Sequence, residues 1–343
     1  MFDLTRRHAI KLLGSAAALS FTASPSAASI MPSTGQSLFD EVAFKAAKFH
    51  REESEVLLRG LYQELFRHTP STMAVENVVR TRFPDLGHHV RVHDQPRFES
   101  NRFIWNFEPE EFGLGFYVVR DDDPRASDAD PKKRIAKVSD LSKMLRALAS
   151  SFKEMREIDA WDVLNNGHVY DAAIGADGVS MCSANHPHDR GVWSNAMNAP
   201  LDRDTLLKAI VGIGSFVDDG GNRIMARPDK LVVPIGLMDV AERITKTELR
   251  PGMAHGEDAE PKQHYIWSDY LTSMQNWFVT TNISGLVWFE SQSFAITCEY
   301  DKDKDAVLIT GSEKRKFGCH DPRAIFGSFP DKAARGTRQM MEA

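Results

Sequence analysis

Between Ser139 and Gly167 the apolar residues hold to one helical face for about 25 residues, and a stripe of that length demands a sizeable apolar layer against it. Leu141, Met144, Leu145, Leu148, Phe152, Met155 and Ile158 make up the stripe. Ser139 is a suitable N-cap type, and Asn165-Asn166-Gly167 is a stop signal. Such a helix would be roughly 38 Å long. An earlier helix is expected from Leu38 to about His68, where Phe39, Val42, Ala46, Phe49, Val56, Leu57, Leu61 and Leu65 recur near helical spacing. Thr69-Pro70 should end it, because the residue before proline avoids the helical region.

Strand periodicity dominates elsewhere. Residues 86–119 alternate polar with aromatic or apolar positions (Val90, Val92, Phe103, Trp105, Phe107, Phe116, Val118), with Gly113 and Gly115 permitting a bend. Leu231-Val232-Val233, bounded by Pro228 and Pro234, reads as a buried strand between two helices. The first of these helices carries Leu206, Leu207, Ile210, Ile213 and Phe216, with Asp202 or Asp204 as its cap. The second carries Leu237, Val240, Ala241 and Ile244. Further strands are expected at Trp277–Thr281, Leu286–Phe289, Ala295–Tyr300 and Val307–Ser312, the last two joined by a turn at Asp301-Lys302-Asp303-Lys304-Asp305. Residues 121–133 and 251–264 read as charged or polar loops, and the tail after Pro330 as mobile. The fold class is therefore α+β, and 343 residues accommodate about two domains.

The net charge of -6 argues against a dedicated nucleic-acid binder. Three cysteines, Cys182, Cys298 and Cys319, make no disulfide framework and fit a reducing cytoplasm. No apolar run reaches the ~18 residues of a membrane span.

Candidate chemistry is sparse. Cys182-x3-His186-x-His188 has metal-ligand residue types without a zinc spacing, and reads better as a turn. His88-His89-x3-His93 sits on an alternating strand. Asp121-Asp122-Asp123 reads as a solvated loop before a cation site. Gly212-x-Gly214 lies inside a helical pattern and lacks the preceding strand and third glycine of a dinucleotide site. No catalytic residue, cofactor or metal site is expected.

A series of landmarks carries more weight through its order than through any member. It runs Asp177-Gly178, Asn185-His186-Pro187, the helix Leu206–Val217, Asp218-Asp219-Gly220-Gly221, Arg227-Pro228-Asp229-Lys230-Leu231-Val232-Val233-Pro234, Trp277-Phe278, and Asp321-Pro322-Arg323-Ala324-Ile325-Phe326-Gly327-Ser328. The series resembles the second half of a major capsid protein of tailed bacteriophages, of the Hong Kong 97-type fold and similar to the Mu-like major head subunit branch. The resemblance covers roughly Leu141 to Ser328. It implies a structural role and no enzyme. The expected parts are an N-arm (1–37), an N-terminal helix opening the peripheral domain (38–85), and an extension loop (86–119). They continue with the peripheral domain and its long spine helix (120–170), an axial domain (171–285), return strands (286–330) and a mobile tail (331–343). It further implies hexamers and pentamers closing an icosahedral shell around double-stranded DNA held non-specifically. A portal protein and scaffolding or decoration proteins would be partners, with no membrane. The protein would be assembled in the host cytoplasm and located in the virion. Phe103, Trp105 and Phe107, with Arg97 and Arg102, are expected at intersubunit contacts, with the subunit's own core as the other place for the aromatics. Residues 86–119 contain no lysine, so closure by a Lys–Asn isopeptide bond from that loop is not expected.

Two other readings stand beside this one. An encapsulin-type shell shares the fold and holds protein cargo. A twin-arginine-exported periplasmic enzyme would explain Thr5-Arg6-Arg7-His8-Ala9-Ile10-Lys11 and the apolar run Leu12 to Phe21, although no clean Ala-x-Ala cleavage signature follows.

Overall fold

The long amphipathic stripe after Ser139 forms the longest helix in the computed structural model of the chain, which describes residues 33–73, 75–79, 103–124, 135–171, 175–246 and 264–330. In chain order the helices are α1 (Ser33–Phe49), α2 (Leu141–Asn165), α3 (Arg203–Gly214) and α4 (Met238–Lys246). The strands are β1 (Arg67–Pro70), β2 (Glu76–Val79), β3 (Ile104–Phe107), β4 (Glu110–Val119), β5 (Ile135–Lys137), β6 (His186–His188) and β7 (Gly191–Trp193). They continue with β8 (Ala196–Met197), β9 (Pro228–Pro234), β10 (His264–Ser268), β11 (Trp277–Thr281), β12 (Leu286–Asp301), β13 (Ala306–Cys319) and β14 (Ile325–Ser328). The mixture is α+β, as the periodicities require.

Two compact units share these elements. The first takes residues up to Gly60, Pro109–Arg156 and Glu290–Arg315, and the second takes the remainder. In the first unit the strands lie in the order β12-β13-β4-β5. β13 and β4 run antiparallel from Val307 opposite Val118 to Arg315 opposite Glu110. Leu141, Leu145, Leu148 and Phe152 of α2 and Leu38, Val42, Ala46 and Phe49 of α1 bury against Phe116, Val118, Phe294, Val307 and Ile309. Spacings of three and four put each helix's apolar residues on a single stripe, so each helix covers the sheet with that face alone. The Asp121 carboxylate accepts the Ser139 backbone N–H at 3.0 Å, and that bond holds its carboxyl below the usual carboxylate range.

In the second unit a sheet runs β10-β9-β11-β14-β8. β9 and β11 are its centre, with Leu231, Val232, Val233, Trp277, Phe278 and Val279 all fully buried. Pro228 and Pro234 bound the central strand, as expected of an apolar run stopped by residues that cannot extend the ladder. Leu206, Ala209, Ile213 and Phe216 of α3 and its exit pack on one face of this sheet with Phe326, Leu237 and Ala241. Asp202, and not Asp204, caps α3. Its side chain accepts the Thr205 N–H at 2.8 Å while Thr205 Oγ1 accepts the Asp202 N–H at 2.9 Å, a reciprocal capping box. The Thr205 backbone bond holds the Asp202 carboxyl low. A carboxyl lowered in the folded state contributes stability above its unfolded value and loses it as the pH falls through the folded one. Asp202→Ala should therefore cost about 1 kcal/mol near neutral pH, read by urea unfolding, with the difference shrinking in acid.

Four expectations are corrected. The N-terminal helix stops well before His68. His50–Ser54 winds as a wider π turn, Ser54 Oγ donates to the His50 carbonyl at 2.6 Å, and Glu55–Leu57 is the last helical piece before Gly60. Thr69 and Pro70 fall in β1, not after a helix. Residues 286–301 form one strand where two were expected, because Glu290–Ser293 is polar through exposure and contains no breaker. Part of the segment expected as an extension loop belongs to the body. β4 is an inner strand of the first unit, with Phe116, Val118 and Val119 buried. Gly115 sits there not to bend the strand but because a Cβ would lie 2.8 Å from the Ile309 carbonyl oxygen. Residues 86–102 of that loop, the N-arm through residue 32 and the tail from 331 lie outside the described residues.

Candidate functional site

Asp177, His186, Asp218, Asp219 and Arg323 of the landmark series lie in the second unit, whereas Asp121-Asp122-Asp123 belongs to the first. The hairpin β6–β7 pairs His186 with Trp193 and turns at Gly191, whose φ of 148° favours glycine. His186 is 1% exposed. Its Nδ1 lies 2.6 Å from Asp177 Oδ2 and its Nε2 lies 2.9 Å from Asn195 Oδ1. Asn195, also buried, accepts the Ser183 N–H at 2.8 Å and donates to the carbonyls of Met181, Pro322 and Ile325. The imidazole stacks on Trp193 with centroids 4.5 Å apart, and the Arg323 guanidinium lies 5.4 Å from the same indole. Arg323 is itself buried. Its Nε donates to the Val217 carbonyl and its Nη2 to Asp219 Oδ1, each at 2.7 Å. Asp218 Oδ1 accepts the backbone N–H groups of Gly220 and Asn222, closing the turn in which Gly221 has φ 81°.

Four pieces of chain are thus cross-tied: Asp177, the β6–β7 hairpin with Asn195, the Asp218–Asn222 turn and the Asp321–Ser328 return. The chemistry available is structural. Both imidazole nitrogens of His186 face oxygen atoms, so the ring can serve as neither base nor metal ligand without breaking a bond. Of the proposed Cys182-His186-His188 set, Cys182 lies in an apolar cluster with Phe278, Phe329 and Cys319, and burial pushes both thiols up. His188 Nδ1 instead accepts the Arg190 N–H at 3.2 Å. Among the described residues no group of three or more metal-ligating side chains is arranged to hold a cation. Removing the hub side chain in Asn195→Ala would leave a buried N–H and several carbonyls without partners. The expected cost is about 2 kcal/mol or more of subunit stability, measured by thermal or urea unfolding.

Beside this network lies a pocket of ≈ 400 Å³ lined by His188, Val192, Trp193, Ser194, Gly212, Ser215, Val217 and Phe326. Its hydroxyls are spent inward, Ser194 Oγ on the Ala196 carbonyl and Ser215 Oγ on the Gly212 carbonyl. Gly212 faces the Phe326 ring, which would stand 3.0 Å from a Cβ, so the Gly212-x-Gly214 pair serves helix packing.

The aromatic residues expected at subunit contacts sit elsewhere. Trp105 and Phe107 have no exposed surface and pack with Val287 and Phe289, while Phe103 is partly buried against the same cluster. β3 pairs with β2 and shows strict alternation, so Trp105 and Phe107 share the inward face and Ile104 is left outward. The contact role is corrected to a core role for Trp105 and Phe107. Nothing in the sequence distinguishes the two, since an interface and a core demand the same apolar face. Arg97, Arg102, His88, His89 and His93 lie outside the described residues. Asn195 was missed altogether, since a lone Asn carries no spacing signal, and Arg323 was legible only as part of a landmark and not as a hub.

This chain is similar to capsid and encapsulin proteins. A virus-like particle protein from Pyrococcus furiosus shares 12% identity at a TM-score of 0.43, covering 87% of this chain and 100% of that one. A holo-encapsulin complex from Synechococcus elongatus shares 10% at 0.46, covering 78% and 86%. The procapsid of bacteriophage JBD30 shares 12% at 0.45, covering 88% and 76%. Neither a family model nor a curated protein sequence matches the chain. At these identities and TM-scores the likeness assigns no function.

Proposed function

We propose that the chain is a shell subunit, the major capsid protein of a tailed-phage head, which assembles as hexamers and pentamers around double-stranded DNA. The observation that carries this reading is internal to the chain. The landmarks on which the sequence resemblance rests, Asp177, His186, Asp219 and Arg323, are the residues that bond to one another or to shared partners in one buried network. Landmarks that form one structural knot form one unit of resemblance and not a run of coincidences. Two further features support it: α2 has the 25 residues that a spine helix would need, and His186, Asn195 and Arg323 each bond to other parts of the chain. A shell distributes its binding over large contacts of ~2,000 Å² or more, so it requires rigid subunits and no reactive centre. Its partners would be further copies of itself, a portal protein, scaffolding or decoration proteins and the packaged DNA, and it would reside in the virion.

Negative-stain electron microscopy of the full-length chain, with intact mass on the same sample, tests this. Uniform shells, or five- and six-membered rings at full mass, are expected. Small particles that have lost about the first 28 residues would overturn the reading in favour of an exported protein. Shells packed with co-purifying protein cargo would move it to the encapsulin type.

A further inference from the structure

The donor and acceptor roles around His186 follow from Asn195, because the amide of that residue can face only one way. Asn195 Nδ2 lies 2.8 Å from the Met181 carbonyl oxygen, 2.8 Å from that of Pro322 and 3.1 Å from that of Ile325. Only the amino end of an amide can meet three carbonyl oxygens. The other end is therefore Oδ1, an acceptor that also takes the Ser183 N–H at 2.8 Å. His186 Nε2, 2.9 Å from that oxygen, must donate to it. A neutral imidazole carries one ring proton, and this bond uses it. Nδ1 would then present a lone pair to Asp177 Oδ2 at 2.6 Å, and a lone pair facing a carboxylate oxygen is repelled. The contact requires one further proton.

The surroundings favour a charged pair. The side chains of His186 and Asp177 are 1% and 5% exposed, so little water screens them. Asp177 Oδ1 accepts the Val179 N–H at 3.4 Å. Against Trp193, on which the imidazole stacks, lies Arg323, and its guanidinium faces two carboxylates, Asp219 at 2.7 Å and Asp321 at 3.4 Å. Two carboxylates against one guanidinium leave a surplus of negative charge, to which Asp177 adds. The thiols of Cys182 and Cys319 stay protonated, pushed up first by burial. His188, two residues along the hairpin, turns its Nδ1 to the Arg190 N–H instead. A carboxylate within hydrogen-bond reach holds a proton on an imidazole that burial alone would strip.

We propose that His186 is doubly protonated in the folded subunit, an imidazolium locked between Asp177 and Asn195, and that this proton makes the buried network of the second unit a pH-sensitive tie. The inference is independent of the shell reading. In the unfolded chain a histidine gives up its proton at about pH 6.5. Below that pH both states hold the proton, and the tie contributes in full. Above it only the folded chain holds the proton, so the folding equilibrium constant falls about tenfold per pH unit. Loss of the proton sets Nδ1 against the Asp177 carboxylate and releases Asp177 from the β6–β7 hairpin, which undoes one of the four ties.

The test compares the full-length wild type with Asp177→Asn by urea unfolding across neutral and mildly alkaline pH. An asparagine amide at that place can donate to an unprotonated Nδ1, so the variant keeps both bonds with a neutral ring and needs no extra proton. The ratio of the wild type's folding constant to the variant's should fall about tenfold per pH unit above pH ~7, the other histidines being common to both chains. Parallel pH profiles would overturn the proposal. Ring nitrogen NMR spectra of the histidine-labelled wild type give a second reading that does not depend on the variant folding. In mildly alkaline buffer one histidine should still have both ring nitrogens protonated, and that signal should be missing from a folded Asp177→Asn. A wild type with only neutral histidines there would overturn the proposal as well.

Discussion

Arg156→Ala should destabilise the subunit by about 3–5 kcal/mol, because it leaves an uncompensated charge in the interior of the first unit. Glu313 has no exposed surface, and Arg156 and Arg315 are 4% and 1% exposed. Arg156 binds Glu313 Oε2 through Nε at 2.9 Å and through Nη2, and its Nη2 also lies 3.6 Å from Glu290. Arg315 Nε holds the other Glu313 oxygen at 2.5 Å and its guanidinium stacks 4.3 Å over Phe112. Two cations and two anions balance only while all four are present. The expected readout is a lower urea midpoint with an unchanged m-value. The control is a double change, Arg156→Met with Glu313→Leu, which removes both partners of the main pair. It should recover only part of the loss, since apolar replacements of a buried pair are often neutral or better but Arg315 Nε is left without its Glu313 partner. A single-variant loss below about 1 kcal/mol would show that water reaches the cluster and that the burial is not as described.

Trp105→Ala should cost about 3–5 kcal/mol of subunit stability, the range for truncating a large buried aromatic. Trp105 is fully buried and shares its cluster with Phe107, Val287 and Phe289. Its neighbour Phe107 is already packed tightly, since a Cβ on Gly318 would clash with that ring. On the sequence alone this substitution was expected to harm assembly more than folding. With the side chain inside, unfolding of the isolated subunit should show the full loss, and any assembly defect should follow from it. An unassembled Trp105→Ala subunit as stable as the wild type, yet unable to assemble, would restore the contact role.

Legibility in the sequence tracked how local the cause was. The long α2, the strand between Pro228 and Pro234, β11 and the Asp301–Asp305 turn were each written in periodicity and in nearby breakers, and the structure has them where expected. The early end of the N-terminal helix was not legible, because the competing bond from Ser54 to His50 is invisible to apolar spacing. The joining of Leu286–Asp301 into one strand escaped for a related reason: a polar stretch can be loop or exposed strand, and pairing with β13 decides.

For the candidate site the division is similar. The landmark residues His186, Asp219 and Arg323 could be picked out along the chain, and Asp202 could be seen as a cap, because turn and cap chemistry acts over a few residues. That Asn195 would bind three carbonyls and that Trp105 and Phe107 would turn inward depended on which distant segments meet. Periodicity and breakers act through neighbouring backbone dihedrals and are readable from composition and order. Burial and hydrogen-bond completion depend in part on contacts between residues more than a hundred positions apart, as between Asn195 and Pro322, and those exist only once the chain has packed.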